Sequence, residues 1–584
     1  MNNNKQGFVL VSTLAILTVI VLLGMLSVAN TTSEYQQSAS QTRMANARAV
    51  SEAGQAEAQF FMVNDGLTKV NDAMKTYLTA FAASSKNAAT DPIIDSSNYN
   101  AIITSLNGNS AFTRSGTING NSYATKIKFS NMRADSGSFS SAGQDYWMEY
   151  VIETTGNDKQ FKRNVITSGN MLVRLGRTYL NQFVLLADDG GSTGGNYYAT
   201  GMNYDGPVHV NKNWRFAGSP QFKYGATTNA ATVEMWNCTT KKWTAVSTQS
   251  HSCTSPDWGG RGMKYQEPKV DLPKNSFSQQ RAALGLDPNT STVPTQSQIC
   301  TALGSAAPTG CNSSLGNGVY VPNNGSALTG GIYIQGNAKQ VQMSVNAGKQ
   351  VYTIKDANDK ITTITVDYTA NTTTIQPPTG SAQTLTGIPN GQLYANGQIV
   401  DLRGPARTGA LPSPAPENST PSVIPPAVAS KSQLNIAAAN DVIIQGDLVY
   451  ETDPRTDSSA KNVMGIISGT GSVRIGTSAP NDIYIHAAIL AGNTGKGFAV
   501  DDYNKNAPRG SIHLLGSIAE QSDPPRGVGS IGSDGVVNIV NGYGDGFKFD
   551  MRFMNGGTVP PFYPATTAFA ARANWPEQQS WRED

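Results

Sequence analysis

Residues 1–30 read MNNNKQGFVLVSTLAILTVIVLLGMLSVAN, and every later assignment hangs on this stretch. A polar leader of seven residues ends in Lys5-Gln6-Gly7, and an apolar run follows from Phe8 to Ala29, interrupted by Ser12, Thr13, Thr18 and Ser27 but by no charge. Its length as a helix is roughly 33 Å at about 1.5 Å per residue, enough to cross a hydrocarbon core of about 30 Å. A secretory signal would carry a shorter apolar stretch with its small-residue cleavage site behind it. Here the small residue, Gly7, stands in front. A cut there removes the polar leader and leaves the apolar helix at the new N-terminus.

Composition fits export. Charged residues make up 14% of the 584, well under the typical quarter or so, while Gly, Asn, Ser and Thr abound. The net charge of +2 gives no global reason to expect nucleic acid or an anionic membrane surface. The chain exceeds what one ordinary core holds, so two or three domains are expected. No second apolar run reaches 18 residues, which places everything after Ala29 on one side of a membrane.

The arrangement around Gly7 resembles the class III leader of type IV prepilins. The resemblance implies that a prepilin peptidase cuts after Gly7 and methylates Phe8 as the first mature residue. One departure matters: the family's glutamate at the fifth mature position is Ser12 here. A buried carboxylate of that kind demands a partner, and a chain without it suits the repeating shaft poorly. In this the chain is similar to the PilX/GspK class of minor pilins, which sit at or near the tip. Arg43-Met44-Ala45-Asn46 followed by Ser51-Glu52-Ala53-Gly54-Gln55-Ala56-Glu57-Ala58 resembles the N-terminal module of that class. The implied partners are other pilins and minor pilins through the helix, the prepilin peptidase, and the inner membrane as a single-pass anchor before passage to the periplasm and cell surface. An ordinary single-span anchor is the plain alternative.

Helix formers continue to about residue 61, with no proline before Pro92. Met44, Ala47, Ser51 and Gly54 fall three or four apart on one stripe, small enough to let another element approach closely. A short helix is expected over 67–81. Period-two alternation in ATKIKF (124–129) and YWMEYVIETT (146–155) then predicts strands.

Residues 201–290 change character. Trp214, Trp236, Trp243 and Trp258 fall close together, and ten basic residues face six acidic ones. Trp214-Arg215-Phe216, Phe222-Lys223-Tyr224 and Lys241-Lys242-Trp243 interleave cations with rings. Rings stack on bases and cations neutralise phosphates, so Lys212, Trp214, Arg215, Lys223, Lys241, Lys242 and Trp243 are the candidate contacts to extracellular DNA. Aromatic filling of a small core explains the same residues and is the stronger reading from sequence alone. Cys238, Cys253, Cys300 and Cys311 allow three pairings. Neighbour pairing into Cys238–Cys253 and Cys300–Cys311 is the simplest in an exported chain. A metal site is the alternative, but no C-x-x-C or histidine cluster accompanies the thiols.

Short strands at roughly ten-residue spacing fill 318–378. Ile334-Gln-Gly-Asn returns as Ile444-Gln-Gly-Asp, and Asn440-Asp-Val-Ile-Ile returns as Asn481-Asp-Ile-Tyr-Ile, a spacing that fits two solenoid turns of about twenty residues. Seven prolines between 405 and 426 read as a linker. The close, with Phe549-Asp-Met-Arg-Phe553 and Pro560-Pro-Phe-Tyr-Pro564, resembles large competence pilins of the PilX type, in which a β-solenoid is inserted into a small pilin domain and a DNA-receiving role at the pilus tip is proposed.

The expected fold is therefore α+β and mostly β: a long transmembrane pilin helix, a small antiparallel β pilin domain and a large β-rich domain, read as a β-solenoid. The expected divisions are leader 1–7, helix 8–65, pilin-like β domain 66–200, disulfide-stapled insert 201–312, β-rich region 313–404, Pro-rich linker 405–430 and C-terminal β domain 431–584. No catalytic residues, cofactor or metal ligands are expected. There is no H-E-x-x-H, and Gly492-Asn-Thr-Gly-Lys-Gly lacks the spacing and the hydroxyl residue of a phosphate loop. The expected function is a non-enzymatic minor pilin of a type IV pilus, with DNA uptake in natural competence as its role. A tip subunit of a type II secretion pseudopilus and a membrane-anchored adhesive or carbohydrate-binding solenoid are the alternatives.

Overall fold

Helix-forming residues with no proline among them fold as one helix, α1 (Asn4–Phe61), about 87 Å long at the standard rise. The computed structural model describes residues 4–583 apart from 83, 85, 87–89, 141, 142, 191–195, 213, 268, 291, 506, 532–536, 557 and 575–579. A π-turn (Met62–Gly66) leads into α2 (Leu67–Ala82), and α3 (Tyr99–Gly108) follows. Four antiparallel strands come next: β1 (Thr113–Ile118), β2 (Asn121–Ser140), β3 (Gly143–Asp158) and β4 (Phe161–Tyr179). The strand Ala565–Asn574 lies beside β4, and Ser580–Glu583 pairs with it antiparallel.

The chain's contacts divide it into two units. The first comprises 1–177 and 568–584, and the second comprises 178–567. The second is thus an insertion, in chain order, between two neighbouring strands of the first unit's sheet. In the first unit, β3 alternates strictly between fully and partly buried residues, as a strand with one face in the core must. Tyr146, Met148, Tyr150 and Ile152 fill that core with Phe61, Met74, Leu78, Ile102 and Phe112 from the helices and the β1 approach.

The second unit is built largely from two sheets of parallel strands. One holds Ile332–Gln335, Gln392–Ala395, Gln433–Ala438, Val463–Ser468, Ile483–Ala491 and Pro508–Ser522 side by side. The other holds Ala338–Asn346, Ile399–Arg403, Val442–Ile444, Val473–Ile475 and Phe498–Val500. In chain order the strands alternate between the sheets. Val463–Ser468 and Ile483–Ala491 are buried along their whole length, which is why they read as unbroken apolar runs rather than alternating ones.

Three expectations change here. The stretch 201–312 has no core of its own: β5 (Leu185–Asp189), Val208–Val210, Ala226–Thr228 and Met263–Lys264 extend the first sheet beyond Pro508–Ser522. The Pro-rich 405–430 is not a spacer. Ile424 packs with Val449 and Tyr484, and the Ala427 amide donates to the Val449 carbonyl at 2.9 Å. Prolines cannot join a sheet interior, but apolar residues among them still find a sheet face to cover. Finally, the repeated strings do not mark equivalent turns. Ile334 and Ile444 lie in different sheets, as do the strands of Asn440-Asp-Val-Ile-Ile and Asn481-Asp-Ile-Tyr-Ile.

Candidate functional site

The N-terminal helix carries two different surfaces. Every large apolar side chain from Leu10 to Val28 is 47–72% exposed, and this stretch is long and apolar enough to span a membrane. Further along, Ala47, Val50, Ser51, Gly54, Gln55, Ala58 and Phe61 are buried, three or four residues apart on one face. Met44 falls outside the contact at 38% exposure. Small residues permit the approach: a Cβ on Gly54 would stand 2.5 Å from a Tyr123 ring carbon and 2.8 Å from Thr154 Cγ2. Polar groups stitch the seam. Ser51 Oγ donates to the Thr154 carbonyl at 2.8 Å, Thr154 Oγ1 donates to Gln55 Oε1 at 2.8 Å, and Asn46 Nδ2 donates to Asp158 Oδ2 at 3.0 Å. Arg114 pairs with Glu57 at the border. Gly7 and Phe8 lie in the first turns of α1, and Met1–Asn3 of the leader lie outside the described residues.

The candidate DNA contacts separate into three groups. Trp214 is fully buried, its ring 5.0 Å from Phe216 and 5.4 Å from Tyr198. Its role as a base-stacking platform is corrected to a core one, because no face of the ring reaches solvent. Trp258 joins the same cluster, stacked on Phe222 at 5.2 Å. Lys212 and Arg215 are neutralised locally by Asp188 at 3.2 Å and Glu234 at 2.5 Å. Lys223, Lys241 and Lys242 remain exposed. Lys241 sits in the turn joining Val233–Asn237 to Lys242–Val246, with a φ of 55°. Trp243 is half-buried, edge-to-face with Trp236 at 5.3 Å and beneath the Arg215 guanidinium at 5.4 Å.

Both disulfides join sequence neighbours, Cys238–Cys253 and Cys300–Cys311, with Cα separations of 5.9 and 5.8 Å. The first ties the Lys241 turn to the loop that holds His251. Three of the four histidines, His209, His486 and His513, are buried. Burial pushes His486 down to about 3, with the Arg455 cation adding to it; its Nδ1 accepts from the Tyr450 amide at 3.1 Å. Burial likewise lowers His209 and His513. Among the described residues, no three His, Cys, Asp or Glu side chains converge as metal ligands.

One feature of the second unit escaped the sequence reading. Arg526 is buried, with Nε and Nη2 donating to the two oxygens of Asp545 at 2.8 and 3.0 Å, and Nη1 2.9 Å from Asp523. Glu520 is fully buried 3.8 Å away, and burial pushes its carboxyl well above the usual range, with Asp523 adding to the shift. This cluster borders a cavity of about 330 Å³. The only signal in the chain was the unusual string Ser522-Asp-Pro-Pro-Arg-Gly527, in which two prolines hold an acid and a base in a fixed loop.

Residues 145–238 match a protein family described only as a domain of unknown function, DUF4900. No curated protein matches the chain. Among solved structures, the competence-associated pilin ComZ from Thermus thermophilus is similar at 10% identity, over 90% of this chain and 97% of that chain, with a TM-score of 0.18.

Proposed function

We propose that this chain is a non-enzymatic minor subunit of a type IV pilus, held in the inner membrane by α1 before assembly and placed at or near the filament tip afterwards. The observation that carries the reading is the division of labour along α1. Its first half exposes apolar side chains on all sides, while its second half seats a small-residue face on an antiparallel sheet. A helix so built has one half free to pack with lipid or with like helices and one half that serves its own domain. Gly7 ahead of the apolar run supports processing by a prepilin peptidase, and Ser12 in place of a carboxylate supports a position off the repeating shaft. We read the two alternating parallel sheets as a β-solenoid inserted in the pilin domain.

The DNA-receiving role is a narrower proposal. It rests on Lys223, Lys241 and Lys242 as exposed cations and on half-buried Trp243 beside Lys242, and no longer on Trp214. A pseudopilus tip subunit would share the helix and the leader. Photo-crosslinkers at Leu14 and Ile20 in cells distinguish the readings: adducts to pilins in sheared surface filaments support the pilus, and adducts confined to secretion-system components support the pseudopilus. Adducts to lipid alone would leave an ordinary anchor and overturn both.

A further inference from the structure

The cavity beside Arg526 has the make-up of a ligand site that no reading of α1 requires. Its volume of about 330 Å³ lies at the small end of the range for ligand pockets, roughly 300–1,000 Å³, so it suits one compact residue and not an extended chain. Half-buried Tyr197 and Tyr503 line it together with buried Tyr198 and Tyr543. Asp523, Arg526 and Asp545 supply the charge in its wall.

Hydrogen-bond accounting shows which groups are left to meet a ligand. Arg526 donates through Nε and Nη2 to Asp545 and through Nη1 to the Phe498 carbonyl at 3.2 Å, with Nη1 also 2.9 Å from Asp523. The guanidinium is thereby held between the two carboxylates. Each Asp545 oxygen accepts one bond from Arg526, and Asp523 Oδ2 accepts one from the Tyr198 hydroxyl at 2.8 Å. Asp523 is 6% exposed; its Oδ1 lies 2.9 Å from Arg526, and its carboxylate also hydrogen-bonds the neighbouring Glu520 carboxyl. A carboxylate oxygen can accept two bonds, so lone pairs remain on both acids. Among the residues that line the cavity, Asp523 and Asp545 carry two formal negative charges against the one positive charge of Arg526, a balance of −1 that repels phosphates and acidic sugars.

We infer that this cavity binds one neutral sugar residue, its hydroxyls donating to Asp523 and Asp545 and its C–H face packing on Tyr197 or Tyr503. Carboxylate acceptors in the wall select a donor-rich ligand, and rings in the lining select one with an apolar face. That combination describes a pyranose better than an amino acid or a nucleotide.

The test uses the full-length protein in a detergent without a sugar headgroup. An array of neutral and acidic oligosaccharides is probed first, and free glucose, galactose, mannose and N-acetylglucosamine are then titrated by saturation-transfer NMR. The inference predicts binding of at least one neutral sugar and a loss of tenfold or more in affinity for Asp523→Asn. The rim variants Tyr197→Ala and Tyr503→Ala remove half-buried rings, and one or both should weaken binding while the thermal melt stays cooperative. Binding to acidic glycans only, calcium binding in place of sugar, no sugar signal at tens of millimolar, or unchanged affinity in both tyrosine variants would each overturn it. None of these results bears on the processing of Gly7, so the pilus reading stands or falls separately.

Discussion

The carbonyl oxygen of Ala47 occupies the place where a Cβ on Gly156 would have to sit. Helix α1 and strand β3 therefore meet backbone to backbone, with only glycine tolerated on the strand side. The Ser51 amide lies 2.6 Å from the same imaginary atom, so the helix cannot slide aside along its axis to relieve it.

A side chain at Gly156 should lever the helix off its sheet. Overpacking in cores usually costs about 1–3 kcal/mol, and backbone on both sides of this contact leaves little room to yield. Gly156→Val is expected to fall at or beyond the upper end, whereas Gly137→Val, exposed on β2 with nothing nearer than 3.4 Å to its Cβ, should not. Thermal melts of the two purified variants, with limited proteolysis of α1, make the comparison.

Trp214→Ala should behave as a core deletion, costing on the order of 3–5 kcal/mol, because the ring is wholly enclosed by Tyr198, Phe216 and Phe222. Any DNA binding should instead track exposed charge. The log–log salt dependence of duplex affinity changes by about 0.9 per phosphate contact. Lys241→Ala with Lys242→Ala is therefore expected to lower the slope by about 1.8 if both touch phosphates. An unchanged slope removes this patch from the DNA proposal.

Cysteine-to-serine replacement of the Cys238–Cys253 pair opens a loop spanned by 15 residues, which the chain-entropy account values at about 3 kcal/mol. Denaturant unfolding of the oxidised protein against the double variant measures it. A difference under 1 kcal/mol would mean that the hydrogen bonds of Asn237 to Thr239 and Thr240 already hold the turn.

Stability should fall in acid through His486. Burial lowers its folded value to about 3 from the ordinary 6.5, Arg455 and Arg552 push in the same direction, and Asp453 opposes them. Above pH 6.5 both folded and unfolded chains are neutral there, and the contribution is complete. Between pH 6.5 and about 3 the unfolded chain takes up a proton that the folded one refuses, so stability declines over that window. His486→Gln should flatten this part of the profile in urea titrations from pH 7 to 4, relative to the unmutated protein. Parallel profiles for the two would assign the acid sensitivity to other groups.

The first unit was legible because its signals are periodic. β3 alternates in sequence and in burial, and Ala47, Ser51 and Gly54 lie on the face that their spacing gave them. The second unit was less so. Its strands are buried on both sides, so their sequence shows length and composition but not which sheet they join. That ambiguity let Ile334 and Ile444 look equivalent. The same blindness left Trp214 open between a core and a DNA-facing surface: an aromatic beside an arginine reads alike whether the ring faces a base or Phe216. The pairing of Cys238 with Cys253 needed only local chain geometry, and there the sequence sufficed. Arg526, Asp523 and Asp545 come together through loops and strand ends, which no periodicity announces.

Cleavage after Gly7 would leave α1 at the mature N-terminus. Intact-mass and N-terminal peptide mass spectrometry of the protein taken from the envelope of its own cells tests it directly. The expected chain begins at Phe8 with its amine methylated, and it stays uncut when Gly7 is replaced by leucine. A mature N-terminus beyond Ala29, or retention of residues 1–7 in cells that contain an active prepilin peptidase, would contradict it.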